Sequence, residues 1–251
     1  NFSSVCFASF VKFFTDFLTS ARKGRLQKTA IDLYMKTQNT LFIPPLFTDT
    51  LTKGPFSSRE EITRAMDLAG KKMVADRLVD SFFGNISYSD GKILYISQTG
   101  SSLDNLLECI DPCPLDGSSC TAITASSEFS AHVAIVDKTD KNIILHGHPK
   151  FSVILSMDCD RLACSHRGKC HTSCPHPREI AGTPVVSGEV GTGRYGLCNT
   201  VPDAMMANSG VIVYGHGLFT TGRNDFNSAF KTLLHIENRC RETYFERMGS
   251  V

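Results

Sequence analysis

Neither sign of charge prevails in this chain: 26 lysines and arginines stand against 25 aspartates and glutamates, a formal net charge of +1. So balanced a surface exerts no long-range pull on nucleic acid or an anionic membrane, and an anionic substrate has to be captured by local groups. Long hydrophobic runs are lacking too. None approaches the roughly 18 apolar residues that a membrane-spanning helix requires. The opening Asn1-Phe2-Ser3-Ser4-Val5-Cys6 has no basic first region and no small-residue cleavage site after its apolar stretch, so it does not read as a secretory signal. These absences lead to the expectation of a cytoplasmic protein with no nucleic-acid and no membrane partner. Its ten cysteines are then read as reduced thiols or metal ligands. What is present fits an enzyme: 251 residues, 41% hydrophobic and 20% charged, suffice for one large domain with a substantial core.

The first residues are expected to be helical. Phe7, Phe10, Val11, Phe14 and Leu18 follow helical spacing, and Leu26 to Met35 offers a second apolar stripe. Pro44-Pro45 breaks the pattern. Residues 1–53 are read as a helical extension packed on a main domain over 54–251. Ser57-Ser58-Arg59-Glu60 matches a capping box and starts a helix to about Val79. Asp90-Gly91, between the β-prone runs Gly84 to Tyr88 and Lys92 to Ser97, predicts a hairpin. Short strands are expected at 107–110 and 121–124, and a helix from Ser126. A strand ends at His146 and His148, and Pro149 opens another helix. An irregular segment leads to the glycine-rich run Ser187 to Gly193. A helix over 201–207, a strand over 211–214 and a long helix from about Asn224 to Arg247 complete the chain. Alternation of this kind predicts an α/β fold with a mixed sheet and helices on its faces.

Two histidines draw attention. Residues i and i+2 of an extended chain project from one face, so His146 and His148 can reach one metal ion. Such a pair alone is a weak signal. A third histidine, His216, ends a similar apolar run, Val211 to Tyr214. Three histidines with an open fourth position form the ligand set of a catalytic zinc site.

The order of motifs resembles the class II aldolase/adducin family, whose zinc enzymes include fuculose-1-phosphate aldolase. The pieces are Gly84-Asn85-Ile86-Ser87, Thr99-Gly100, Ser126-Ser127-Glu128 with His132, His146-Gly147-His148, and His216-Gly217. The resemblance implies a mixed, mainly antiparallel central sheet flanked by helices in three layers. It implies that His146, His148 and His216 hold Zn2+ or another divalent metal and that Glu128 is the catalytic acid/base. It places Asn85, Thr99, Gly100, Ser126 and Ser127 at a substrate phosphate. The activity implied is that of a lyase that makes or breaks a C–C bond in a small phosphorylated sugar, by way of an enediolate stabilised by the metal. Homo-oligomerisation, as a tetramer, is implied as well.

The same residues have plainer uses. Ser126 and Ser127 suit a helix cap, Glu128 suits a helix dipole, and His132 can pack or hydrogen-bond. Alternatives to the aldolase are a dehydratase or epimerase on the same site, or a non-catalytic adducin-like scaffold. Three departures from the family pattern stand out. Phe82 and Phe83 occupy positions where the family has small residues beside the phosphate, which points to a different anion or a larger substrate. The family's two catalytic tyrosines have no matching position. In place of the segment that carries the first tyrosine stands a Cys/His-rich loop over 158–177, with Cys159, Cys164, Cys170 and Cys174 among three histidines. Two readings of that loop stay open: a second metal site, zinc or iron–sulfur, and an unliganded or redox-sensing loop.

Overall fold

The computed structural model describes residues 51–118, 121–161 and 163–249. The helices expected before residue 51 lie outside the described residues. The capped helix forms as α1, Arg59–Ala75, one residue out of the expected register. Ser58 is the N-cap and accepts from the Glu61 amide at 3.2 Å. Glu61 in turn accepts from the amide and hydroxyl of Ser57, at 2.7 and 2.8 Å, so this register satisfies both donors of Ser57 and the Glu61 amide. The helix ends before Val79 because Arg77 turns left-handed (φ 57). The Leu78 and Arg77 amides then close onto the Met73 and Val74 carbonyls, a Schellman ending that drops Leu78 into the core.

The expected hairpin is β1, Gly84–Ser89, with β2, Ile93–Ser97, paired so that Tyr88 faces Tyr95. Asp90 Oδ1 accepts from the Lys92 and Ile93 amides, and Gly91 supplies the positive φ of 93 that the turn needs. The short strands expected next do not form as read: β3 is Ile110–Pro114, and Thr121–Ile123 is a single 3-10 turn. Two prolines are tolerated in β3 because it lies at the sheet edge and pairs only with β2. The remaining elements are α2 (Phe129–Lys138), β4 (Ile143–Gly147), α3 (Lys150–Met157), β5 (Arg178–Ile180), β6 (Thr183–Val186), α4 (Leu197–Met205), β7 (Gly210–Val213), β8 (Gly217–Gly222) and α5 (Phe226–Gly249).

The strands form one sheet in the order β3-β2-β1-β4-β8-β7-β6-β5. Every pairing is antiparallel except β6 with β7, so the mixed, mainly antiparallel sheet is the one expected. Helices cover both faces. Ile143 and Leu145 of β4 pack with α1 and α5 through Met66, Phe226, Phe230 and Leu233. Ile144, between them, packs the other way, with α2 and α4 through Ile135, Leu197, Val201 and Met205. Strict alternation along a strand therefore sends His146, two residues after Ile144, to the face covered by α2 and α4. Burial of each large apolar side chain at these interfaces stabilises the fold by about 1.5–3 kcal/mol, an upper estimate because the unfolded chain is itself compact.

Candidate metal centre

Three neighbouring strands bring the site together. His146 lies directly across β4 from Asn85 of β1 and, on the other side, from Phe219 of β8. Its ring stacks on Phe219, with centroids 4.0 Å apart. His148 follows the end of β4. His216 returns over the sheet end in the turn between β7 and β8, where Gly215 is left-handed (φ 60) and the His216 amide closes onto Val213. Gly217 has to be glycine here: a Cβ would lie 2.5 Å from the Gly147 carbonyl and 2.6 Å from the His146 ring. The ligand atoms of His146, His148 and His216 come within 4.8 Å of one another, and among the described residues no other group of three or more histidine, cysteine or acidic side chains does so.

The donor chemistry fits a metal. His146 Nδ1–H donates to the Leu218 carbonyl at 3.2 Å, which leaves the Nε2 lone pair pointing into the cluster. Nε2 of His146 and of His148 are 3.1 Å apart. Two lone pairs so close repel unless a proton or a cation lies between them, and a tetrahedral ion with Zn–N of about 2.0–2.1 Å separates its ligands by about 3.3 Å. Burial lowers the His146 pKa to about 4, against the pull of Glu128, and lowers His148 well below its ordinary value. Both are neutral at physiological pH, as ligands must be.

Glu128, the residue before α2, sits against this cluster. Its Oε1 is 2.7 Å from His216 Nε2, and its Oε2 is 3.3 Å from His146 Nε2. Burial raises its carboxyl pKa, but the His146 and His216 imidazoles and the Asn85 amide outweigh burial and hold it well below the usual carboxylate range. It is ionised at neutral pH. Behind it runs a chain of hydrogen bonds whose members all stand in the motif pieces, though no motif announces how they connect. Asn85 Nδ2 donates to Glu128 Oε2 at 2.8 Å, His132 Nε2–H donates to Asn85 Oδ1 at 2.5 Å, and the Ser87 hydroxyl donates to His132 Nδ1 at 2.7 Å. Each polarity follows from the carboxylate, which can only accept. The signal available for His132 was its place one helical turn after Glu128. Asn85, expected at a substrate phosphate, has both polar atoms engaged in this chain.

The other expected site residues lie beside it. The Ser126 hydroxyl accepts from the Glu128 amide at 3.3 Å. The Thr99 amide donates to the Thr124 carbonyl and its hydroxyl to the Ala125 carbonyl, so Thr99 lies against Thr124 and Ala125, just before Ser126. Thr99, Gly100 and Ser127 are exposed. Phe82 and Phe83 are exposed as well, by 61% and 39%, and the Phe83 ring lies 6.0 Å from that of His148.

A family profile, the class II aldolase and adducin N-terminal domain, matches residues 64–244, which contain every one of these site residues. The chain belongs to that family. Solved structures of the class II aldolase fold resemble it. The L-fuculose-1-phosphate aldolase of Thermus thermophilus is 21% identical, with a TM-score of 0.60 over 75% of this chain and 95% of that one. YgbL of Escherichia coli is 17% identical, with a TM-score of 0.59 over 74% and 89%. An aldolase II superfamily protein of Pseudomonas syringae is 18% identical, with a TM-score of 0.54 over 75% and 76%. At such identities the likeness is one of fold. No curated protein sequence matches the chain.

Among the described residues Cys159, Cys164, Cys170 and Cys174 are free thiols, and no three of them share one centre. Local hydrogen bonds hold two of them apart: Cys170 Sγ donates to the His166 carbonyl and Cys174 Sγ to the His176 carbonyl, at 3.6 and 3.4 Å.

The buried histidines give the metal-free domain a pH dependence. Burial holds His132 at about 3 and His146 at about 4, whereas unfolded histidine titrates near 6.5. Below about 6.5 the unfolded chain therefore binds more protons, and stability falls with pH by up to about 1.4 kcal/mol per unit for each such histidine. Chemical denaturation of chelator-treated protein should show a midpoint that is level above pH 7 and drops steeply from pH 6 to 5. A midpoint independent of pH over that range would mean that these histidines are not buried as neutral groups.

Proposed function

We propose that this chain is a metal-dependent lyase of the aldolase type, acting on a small phosphorylated sugar or a related hydroxy-carbonyl compound. The observation that carries the reading is the convergence of three imidazoles with one ionised carboxylate, Glu128, on the same few ångströms of space. His146, His148 and His216 would hold the divalent ion, most simply zinc. When bound, such an ion supplies Lewis-acid stabilisation of the negative charge that develops on a substrate carbonyl oxygen.

The chain's own residues account for the proton. In the geometry observed, His216 Nε2–H donates to Glu128 Oε1. Ligation through Nε2 requires loss of that proton, and Oε1 is then free to accept one from the substrate carbon beside the carbonyl. Asn85 keeps Oε2 engaged meanwhile, so the carboxylate cannot rotate away. Gly100, Ser126 and Ser127 would take the substrate's phosphate through hydroxyl and amide groups near the start of α2, without a lysine or arginine; Thr99 would join them only by releasing the Thr124 and Ala125 carbonyls. Asn85 would join them only by releasing Glu128.

A second reading is a substrate without phosphate, handled by a dehydratase or epimerase reaction on the same site. Phe83 favours it, because an exposed aromatic ring beside His148 offers apolar contact where an anion gains nothing. One experiment separates the readings: exchange of the hydroxymethyl protons of dihydroxyacetone phosphate in D2O, followed by NMR with and without a chelator. The aldolase reading expects exchange that the chelator stops. Zinc bound but no exchange would overturn it in favour of the second.

A further inference from the structure

Both histidine-bearing segments are tied to one short helix. α3 begins directly after His148, with Pro149 as its N-cap and no side chain of its own satisfying the first amides. Glu237 does so instead, reaching in from α5. Its carboxylate accepts from the Phe151 amide at 2.8 Å, the Ser152 amide at 2.9 Å and the Ser152 hydroxyl. A carboxylate in that place complements both the unpaired N–H groups and the helix dipole. At the other end of α3, the wholly buried Ser156 donates to the Val153 carbonyl at 2.7 Å and accepts from the Gly215 amide at 2.8 Å. Gly215 immediately precedes His216. Its neighbour on the same side is Met157, whose side chain would lie 3.4 Å from a Cβ at Gly215.

We infer that Ser156 is a positioning residue of the metal centre: by holding the Gly215 amide it sets where His216 stands relative to His146 and His148. The inference rests on the three-histidine reading above. Its physical basis is the turn's need for an acceptor. A partly buried amide that loses its partner is relieved by moving the backbone that carries it, and here that backbone carries a ligand. His148 is fixed at the near end of the same helix and His216 at the far end, with Glu237 anchoring the helix to α5. The separation of the two ligands is thus governed by a rigid element of eight residues, Lys150–Met157, and not by the loops alone.

The test measures Zn2+ affinity by competition with a chromogenic chelator, and the visible spectrum of Co2+-loaded protein, in the full chain. Ser156→Ala should bind Zn2+ about 10- to 100-fold more weakly, the usual consequence of losing an outer partner of a ligand, with unchanged far-ultraviolet circular dichroism and shifted Co2+ bands. Ser89→Ala also removes a buried serine hydroxyl that accepts a backbone amide, that of Gly91 in the β1–β2 turn, but leaves α3 and Gly215 untouched. It should stay within about twofold of the wild type, as expected where no partner of a ligand is lost. Wild-type affinity in Ser156→Ala, or an equal loss in both variants, would overturn the inference. A wild-type chain that binds no Zn2+ would instead remove the three-histidine reading, and the inference with it.

Discussion

His148→Ala should leave a folded protein that neither retains zinc nor exchanges the protons of dihydroxyacetone phosphate. His148 lies beyond the last hydrogen-bonded residue of β4 and is only half buried, so its ring supports little of the core. Its Nε2, by contrast, is 3.1 Å from that of His146, and removal leaves two ligands of three. Loss of a direct ligand should exceed the about 10–100-fold that loss of an outer partner costs. Zinc per chain after dialysis, read together with circular dichroism and exchange rate, checks this. If zinc content and exchange both matched the wild type, the site would have to be sought elsewhere.

Glu128→Gln should do the reverse, keeping the metal and losing the chemistry. Glutamine has the shape of glutamate but cannot take a proton at neutral pH, and loss of a positioned general base lowers rates by about 10²- to 10⁴-fold. The hydrogen-bond chain dictates which way the new amide points. Asn85 Nδ2 requires an acceptor, because His132 holds Asn85 Oδ1 as the accepting end, so the glutamine oxygen must take the Oε2 position. Its NH2 group then faces His216 Nε2 and needs that nitrogen as an acceptor. In the loaded site the single Nε2 lone pair goes to the ion and the amide gives up that contact; zinc binding should survive because all three histidines remain. A variant that exchanged protons at the wild-type rate would exclude Glu128 as the base.

Much of the site was legible in the sequence because its parts lie at strand ends and helix starts, where local pattern and chemistry coincide. His146 and His148 share a face by the two-residue period, and Ser126 to Glu128 announce a helix. The hairpin at Asp90-Gly91 was readable for the same reason, since a two-residue signal decides a two-residue turn. Pairing over long distance was not readable. β8 is bracketed by Gly217 and Gly222 and carries two threonines, so nothing local marks it as a central strand, yet it pairs with both β4 and β7. β5 and β6 are three and four residues long and are defined by their partners. Asn85 shows the same limit at the site. Its residue type suits an anion, and only the register of β1 against β4, with α2 above, assigns its amide to Glu128 and His132.

The central place of β8 also bears on how the metal proposed for the three histidines would be acquired. His216 meets Glu128 across 88 residues of chain, and His146 meets Leu218 across 72. Contacts of such separation form only when the sheet closes, because their loop entropy has to be overcome before they contribute. The unfolded chain offers an ion at best the local His146 and His148 pair, so zinc cannot nucleate the fold as it does in a zinc finger. It should instead stabilise the finished domain by mass action, raising the unfolding midpoint with concentration while leaving the rate of folding unchanged.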